Sequence, residues 1–165
     1  MSLQTVLKQA DIFAELTTTQ LELVASICTQ HTYNRNDIIV EENTPGGDLY
    51  VIVQGEVDIQ VDPSLIGGDS DTGPQTIATL ERGQSFGEVS LVDQGIRSAS
   101  ARCAQQDTEV LVIPRDKLIM LCDVYPDFGY RLMRNLAADL AMKIRNTDLM
   151  MREQLTWAKN SQSEP

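Results

Sequence analysis

The chain has 165 residues, enough for one domain with a real hydrophobic core and too few for two. Its 42% hydrophobic and 22% charged content is that of a globular protein, but a net charge of −11 opposes nucleic-acid backbones and anionic membranes unless the cations gather on one face. No run of 18 apolar residues is present, and MSLQTVLKQADIF lacks the basic start and long apolar stretch of a secretion signal, so the expected location is the cytoplasm. Cys28, Cys103 and Cys122 are far apart and outside any CxxC arrangement, which reads as buried free thiols. The single histidine, His31, has no acid or nucleophile beside it, which argues against a zinc site, haem ligation and a Ser-His-Asp relay.

In chain order, LTTTQLELVASICTQ opens a helix: Thr17 and Gln20 have the spacing of a capping box, and Leu21, Val24, Ala25 and Cys28 recur on one face. From Asn34 the texture changes to short apolar runs, DIIV, LYVIV, EVDIQV, TIATL and TEVLVI, each read as a strand. Val57, Ile59 and Val61 alternate with Asp58, Gln60 and Asp62, as a half-buried strand demands. Pro45-Gly46-Gly47-Asp48 makes a turn, and Gln54-Gly55 joins its two strands so closely that a hairpin is expected. PSLIGGDSDTGP, from Pro63 to Pro74, reads as a mobile loop between antiparallel strands and lacks the residue order of a calcium loop. Strands in succession without intervening helices predict an antiparallel sandwich or roll. Beyond Pro114, Asp116 is expected to cap a short helix through Leu121, and Pro126-Asp127 starts a long one. On that helix Ala137, Leu140, Ile144, Thr147, Met151 and Ala158 form a seam, with Arg134, Asp139, Lys143, Arg145 and Arg152 on other faces. The seam could pack on its own β-domain, on a twin helix, or on both at different heights.

The chemistry concentrates in FGEVSLVDQGIRSAS, residues 86 to 100. Gly87 lets the backbone approach a ligand, Glu88 offers acceptors to hydroxyl groups, and Arg97 with the N–H groups of Ser98 and Ala99 could hold an anion. Such a set would recognise a sugar and its phosphate together. The plainer alternative is a tight turn with a solvated acid and one more surface cation.

These residues resemble the phosphate-binding cassette of the cyclic nucleotide-binding domain family: FGE at 86 to 88, Leu91, an eight-residue gap, and RSA at 97 to 99. GGDLYVIVQGEVDI at 46 to 59 and DIFAELTTTQL are similar to further segments of that family, and the resemblance covers roughly residues 10 to 150. It implies a mainly β fold with flanking α-helices, an antiparallel eight-stranded jelly roll followed by a long C-terminal helix. The whole chain, 1–165, would be a single domain, with the N-terminal helix, roll and short helix over about 10–125 and the long helix over about 126–160. By the same resemblance Glu88 accepts a hydrogen bond from the ribose 2′-OH, and Arg97 pairs with the cyclic phosphate. The N–H groups of Gly87, Ser98 and Ala99 complete the cradle. The long helix resembles the dimer helix of catabolite-activator-type bacterial regulators, which place an adenine-contacting threonine where Thr147 stands, although Asp148 departs from the serine often found next. Those regulators continue into a helix-turn-helix domain where only NSQSEP remains, so DNA binding is not expected, nor is a membrane partner. The implied function is a regulatory, non-enzymatic module without a metal or cofactor, with cAMP, or else cGMP, as ligand. It would form a homodimer through the long helix and signal to an output protein. The alternative is an interaction module of the same fold that has lost its ligand.

Overall fold

The computed structural model describes residues 2–66, 73–93 and 95–161. Among the described residues, eight strands form two antiparallel sheets of four. In the first, β1 (Thr29–Tyr33), β8 (Thr108–Ile113), β3 (Leu49–Gln54) and β6 (Ser85–Phe86) lie in that order; in the second, β2 (Ile38–Val40), β7 (Ser100–Cys103), β4 (Val57–Val61) and β5 (Gln75–Leu80) do. This dealing of strands between two facing sheets is a jelly roll, as expected.

LYVIV and TEVLVI are nearly continuous in apolar residues because the first sheet is covered on both faces. Leu49, Val51, Leu111 and Ile113 point to a core shared with the helices, while Ile52 and Val110 point between the sheets to Val40, Val57, Leu80, Phe86 and Ala101. The second sheet meets solvent on its outer side, and β5 is exposed from Gln75 to Thr79.

The hairpin expected at Gln54-Gly55 is not formed. β3 is flanked by β8 and β6 and leaves no edge for β4, which lies in the other sheet. Gly55, at φ +87°, carries the chain across. A Cβ there would stand 2.5 Å from Thr108 Oγ1 and 3.1 Å from its Cα. The strands β1, β6 and β7 escape the apolar-run criterion for different reasons: TQHTY is polar and solvent-facing, β6 has two residues, and SARC alternates over only four. A 3-10 turn covers Pro63–Ile66, and β4 and β5 pair antiparallel on either side of the expected loop, whose residues 67–72 lie outside those described.

Helices α1 (Leu3–Gln9) and α2 (Thr18–Ile27) cover the first sheet. The capping box of α2 is formed: Gln20 N–H donates to Thr17 Oγ1 at 3.2 Å and Thr17 N–H to Gln20 Oε1 at 3.0 Å. Helix α4 (Arg115–Val124) is not capped by Asp116, which lies inside its first turn. Its first N–H, that of Arg115, donates instead to Asp48 Oδ1 at 3.1 Å, a carboxylate 67 residues away in sequence. Helix α5 (Pro126–Ser161) buries Phe128, Leu132 and Leu136 at four-residue spacing against the helical core. Asn135 Nδ2 ties it to the N-terminal lead through Ile12 O and Ala14 O, at 3.1 and 2.8 Å. Among the described residues, no helix is long and apolar enough to cross a membrane.

All three cysteines are free thiols: Cys28 and Cys122 pack against the helical core and Cys103 is buried. Burial pushes the Cys28 thiol up to about 12 and those of Cys103 and Cys122 to about 11. The folded values exceed the unfolded one, so the native state keeps protons that the unfolded chain releases. Their contribution is complete below about pH 8.5 and is lost as pH rises through 11 to 12. Urea midpoints should therefore hold level from pH 7 to 8.5 and fall beyond it, and replacing the three thiols by alanine should flatten that fall. Gly55→Ala should lower stability by about 1–3 kcal/mol in equilibrium urea unfolding, because φ stays positive whatever the neighbours do.

Candidate functional site

At the end of β6 the Phe86 ring stacks on Tyr50, with centroids 4.8 Å apart and planes within 4°. Gly87 then turns the chain at φ +89°, where a Cβ would come within 2.6 Å of Asp48 O and 2.8 Å of Arg97 Nη1. Only glycine allows that approach. Helix α3 (Glu88–Asp93) follows, with Leu91 anchored in the helical core.

Arg97 arrives from the far end of the cassette. Its N–H donates to Thr44 O and its carbonyl accepts from Asn43 N, both at 2.9 Å, which fastens this segment beside residues 43 and 44. The side chain turns inward and is 5% exposed. Nη1 donates to Asp48 O at 3.1 Å and Gly87 O at 3.3 Å, Nη2 donates to Asp48 O at 3.1 Å, and Cζ lies 5.6 Å from the Tyr50 ring centroid. A guanidinium has five N–H donors, so these three bonds leave two, one on Nε and one on Nη2. The Gly46 Cα borders that edge, and a side chain there would press on Nε and Nη2 at 3.1 Å.

Glu88 is also 5% exposed. Lys143, on α5, donates from Nζ to Glu88 Oε1 at 2.7 Å and to Ser85 O at 2.9 Å, and lies 2.8 Å from Asp139 Oδ2. The last contact is an ion pair by distance without hydrogen-bond direction, since Asp139 Oδ2 has no hydrogen-bond partner. Glu88 Oε2 and Ser85 Oγ are likewise buried without a partner. A buried carboxylate oxygen in that state is an acceptor waiting for a donor.

Between these groups lies a cavity of about 410 Å³. Gly87, Glu88, Arg97, Ser98 and Ala99 line one side, β5 lends Ile77, Ala78, Thr79 and Leu80, and α5 closes over it with Lys143, Asn146, Thr147 and Met150. All six residues singled out in the sequence thus border one space. The burial of Glu88 and Arg97 removes the plainer alternative of a solvated acid and a surface cation.

Asp139, Lys143 and Asn146 were not anticipated as site residues. A signal for them existed: the buried recurrence Phe128, Leu132, Leu136 continues at three- and four-residue steps through Asp139, Lys143 and Asn146 to Met150. The inward face of α5 is apolar over the core and polar over the cavity. The seam read from the sequence lies about a quarter-turn away at about 100° per residue, with Thr147 on the border. Ile144 and Met151 of that seam, with Leu155 on the same outer stripe, are 62%, 55% and 64% exposed.

Comparison with known proteins identifies the family. The profile of the cyclic nucleotide-binding domain matches residues 30–125. The chain is 33% identical over 143 residues to the cyclic AMP receptor protein of Thermus thermophilus, covering 87% of this chain and 61% of that one. It is 29% identical over 110 residues to human cGMP-dependent protein kinase 2, covering 67% of this chain and 14% of the kinase. Among solved structures, a cyclic nucleotide-binding domain from Methylobacillus flagellatus superposes with a TM-score of 0.77 at 25% identity, covering 92% of this chain and 82% of that one. The chain thus spans less than two thirds of either curated relative. On the strength of a profile that takes in more than half of its residues, the chain belongs to the cyclic nucleotide-binding domain family.

Proposed function

We propose that the chain is a regulatory module, not an enzyme, that holds a cyclic nucleotide, cAMP in preference to cGMP, and passes the binding event to a partner through α5. One observation carries the reading: Arg97, a buried guanidinium with two donors to spare, and Glu88, a buried carboxylate with one unpartnered oxygen, are lining residues of the same cavity. A cyclic phosphate supplies the anion for Arg97, and a ribose 2′-OH supplies the donor for Glu88 Oε2. Lys143 does not stand in the way, because it occupies the other carboxylate oxygen. Ser98 and Ala99 border the cavity beside Arg97, and the apolar wall of β5 suits the face of a base.

A receptor needs an output, and α5 offers one. Its outer stripe of Ile144, Met151 and Leu155 is exposed on a single chain, and the surface nearest in chemistry is a second copy of the same stripe. We read this as a parallel homodimer in which ligand contacts on the inner face bias the helix pair on the outer one. The acidic balance of the chain, −11, opposes duplex DNA as a partner.

Calorimetry with cAMP and cGMP tests the ligand. Arg97→Ala should weaken binding by roughly 2–5 kcal/mol, about 30-fold to over 1,000-fold in Kd. Arg97 also holds the carbonyls of Asp48 and Gly87, so Arg97→Lys, which keeps the charge and loses the fork, should show the same direction with less damage to the fold. Glu88→Gln should cost less than Arg97→Ala, because an amide oxygen still accepts. A parent protein that takes up neither nucleotide would overturn the reading. Light scattering at tens of micromolar tests the assembly: a mass twice that of the 18.3 kDa chain is expected, and a mass near 18.3 kDa with and without cAMP rules out the helix pair.

A further inference from the structure

Four buried side-chain atoms among the described residues have no hydrogen-bond partner, and three of them, Ser85 Oγ, Glu88 Oε2 and Asp139 Oδ2, belong to residues that meet the ammonium of Lys143. Unsatisfied polarity is concentrated at one point, where α5 leans on the cassette. An ammonium has three hydrogens. Lys143 gives one to Glu88 Oε1 and one to Ser85 O, and Asp139 Oδ2 lies 2.8 Å from its Nζ without a directed bond.

One lysine therefore faces two carboxylates. Glu88 alone would balance it, so Asp139 is not needed as a counter-charge, and the trio carries one negative charge in excess. An exposed acid four residues before a lysine would be a helix-surface pair of little consequence. Asp139 differs because its side chain is only 11% exposed, so water screens it poorly and its field reaches Lys143 and Glu88. Asp139 does not line the cavity, and any effect on a ligand held there passes through those two neighbours.

That effect falls on the acceptor strength of Glu88. A carboxylate matched in full by a bonded ammonium accepts more weakly at its second oxygen than one that shares the ammonium with a rival. We propose that Asp139 is a positioning residue for the sugar: by dividing Lys143 between two carboxylates it keeps Glu88 Oε2 strongly accepting, and so sets the preference of the site for a ribose over a 2′-deoxyribose cyclic nucleotide. The inference rests on the cyclic-nucleotide reading above and goes beyond it by giving the sugar preference a second determinant, outside the cassette and out of contact with the ligand. The same excess charge opposes a cyclic phosphate, so Asp139 sharpens the choice of sugar while weakening overall affinity.

The test is calorimetric titration of the full chain with cAMP and 2′-deoxy-cAMP, which lacks the hydroxyl assigned to Glu88. The parent should prefer cAMP by about tenfold or more, as a hydrogen bond to a charged acceptor implies. In Asp139→Asn, which keeps size and polarity, that preference should fall about fivefold, and 2′-deoxy-cAMP should bind more tightly than it does to the parent because a negative charge near the phosphate is gone. Damage to the fold would weaken both nucleotides, so it cannot produce that gain. Asp139→Glu keeps the charge and should keep the parent preference. An unchanged ratio of cAMP to 2′-deoxy-cAMP affinity in Asp139→Asn overturns the proposal, as does a parent that binds the two alike; both outcomes leave cyclic-nucleotide binding standing. A parent that binds neither overturns the two readings together.

Discussion

The contact between Lys143 and Glu88, at 2.7 Å, joins two parts of the molecule that are 55 residues apart, and it ties α5 to the cassette across the cavity that both line. Placing Glu88 at the start of α3, against Phe86 and under α5, takes a carboxylate out of water, and its charge then needs a counter-charge from within the protein. Lys143 supplies it with a side chain that remains 30% exposed, so only one member of the pair bears the full cost of desolvation. Such a pair adds little net stability compared with apolar packing. Its effect is to fix the height and rotation of α5 relative to the cassette, because an uncompensated buried carboxylate is the alternative.

That fixed rotation lets one helix do three jobs on different faces and at different heights. Phe128, Leu132 and Leu136 dock the first turns on the roll, the next turns present Lys143, Asn146 and Thr147 to the cavity, and the stripe of Ile144, Met151 and Leu155 looks outward. The inner and outer faces share a rigid backbone, so a shift demanded by one is felt at the other. Thr147 sits where the two meet.

Asp48 serves the opposite end of the site in a comparable way. Its carbonyl accepts two N–H groups of Arg97, and its carboxylate accepts the first N–H of α4. One residue in the turn before β3 therefore ties Arg97 to the helix that leads into α5. Arg115 strengthens the link, its Nε donating to Leu91 O at the end of α3 at 3.0 Å. Cassette, α4 and α5 are thus connected by directed bonds as well as by the shared apolar core.

Much of this was legible in the chain itself, for local reasons. The capping box of Thr17 and Gln20, the apolar runs of β3 and β8 and the start of α5 at Pro126 depend on neighbours a few residues away, and the structure shows each of them. The cassette residues were recognisable by type and spacing, since a glycine before an acid and an arginine after a fixed gap is a pattern carried in one stretch. What the sequence could not decide was set by contacts across the fold. Gly55 looked like a hairpin turn because strand pairing is invisible in a single run, and whether two consecutive strands share a sheet depends on which edges β6 and β8 have already filled. Asp116 looked like a cap because the true one, Asp48, is 67 residues distant. Lys143 and Asp139 read as charges on other faces of a helix whose seam lay elsewhere, and only the docking of α5 on the roll set Lys143 against the cavity with Asp139 beside it. Residue type and short-range periodicity determined which elements form and which atoms could bind an anion. The tertiary structure alone decided which face of each element is dry, because burial is a property of what covers a residue and not of the residue itself.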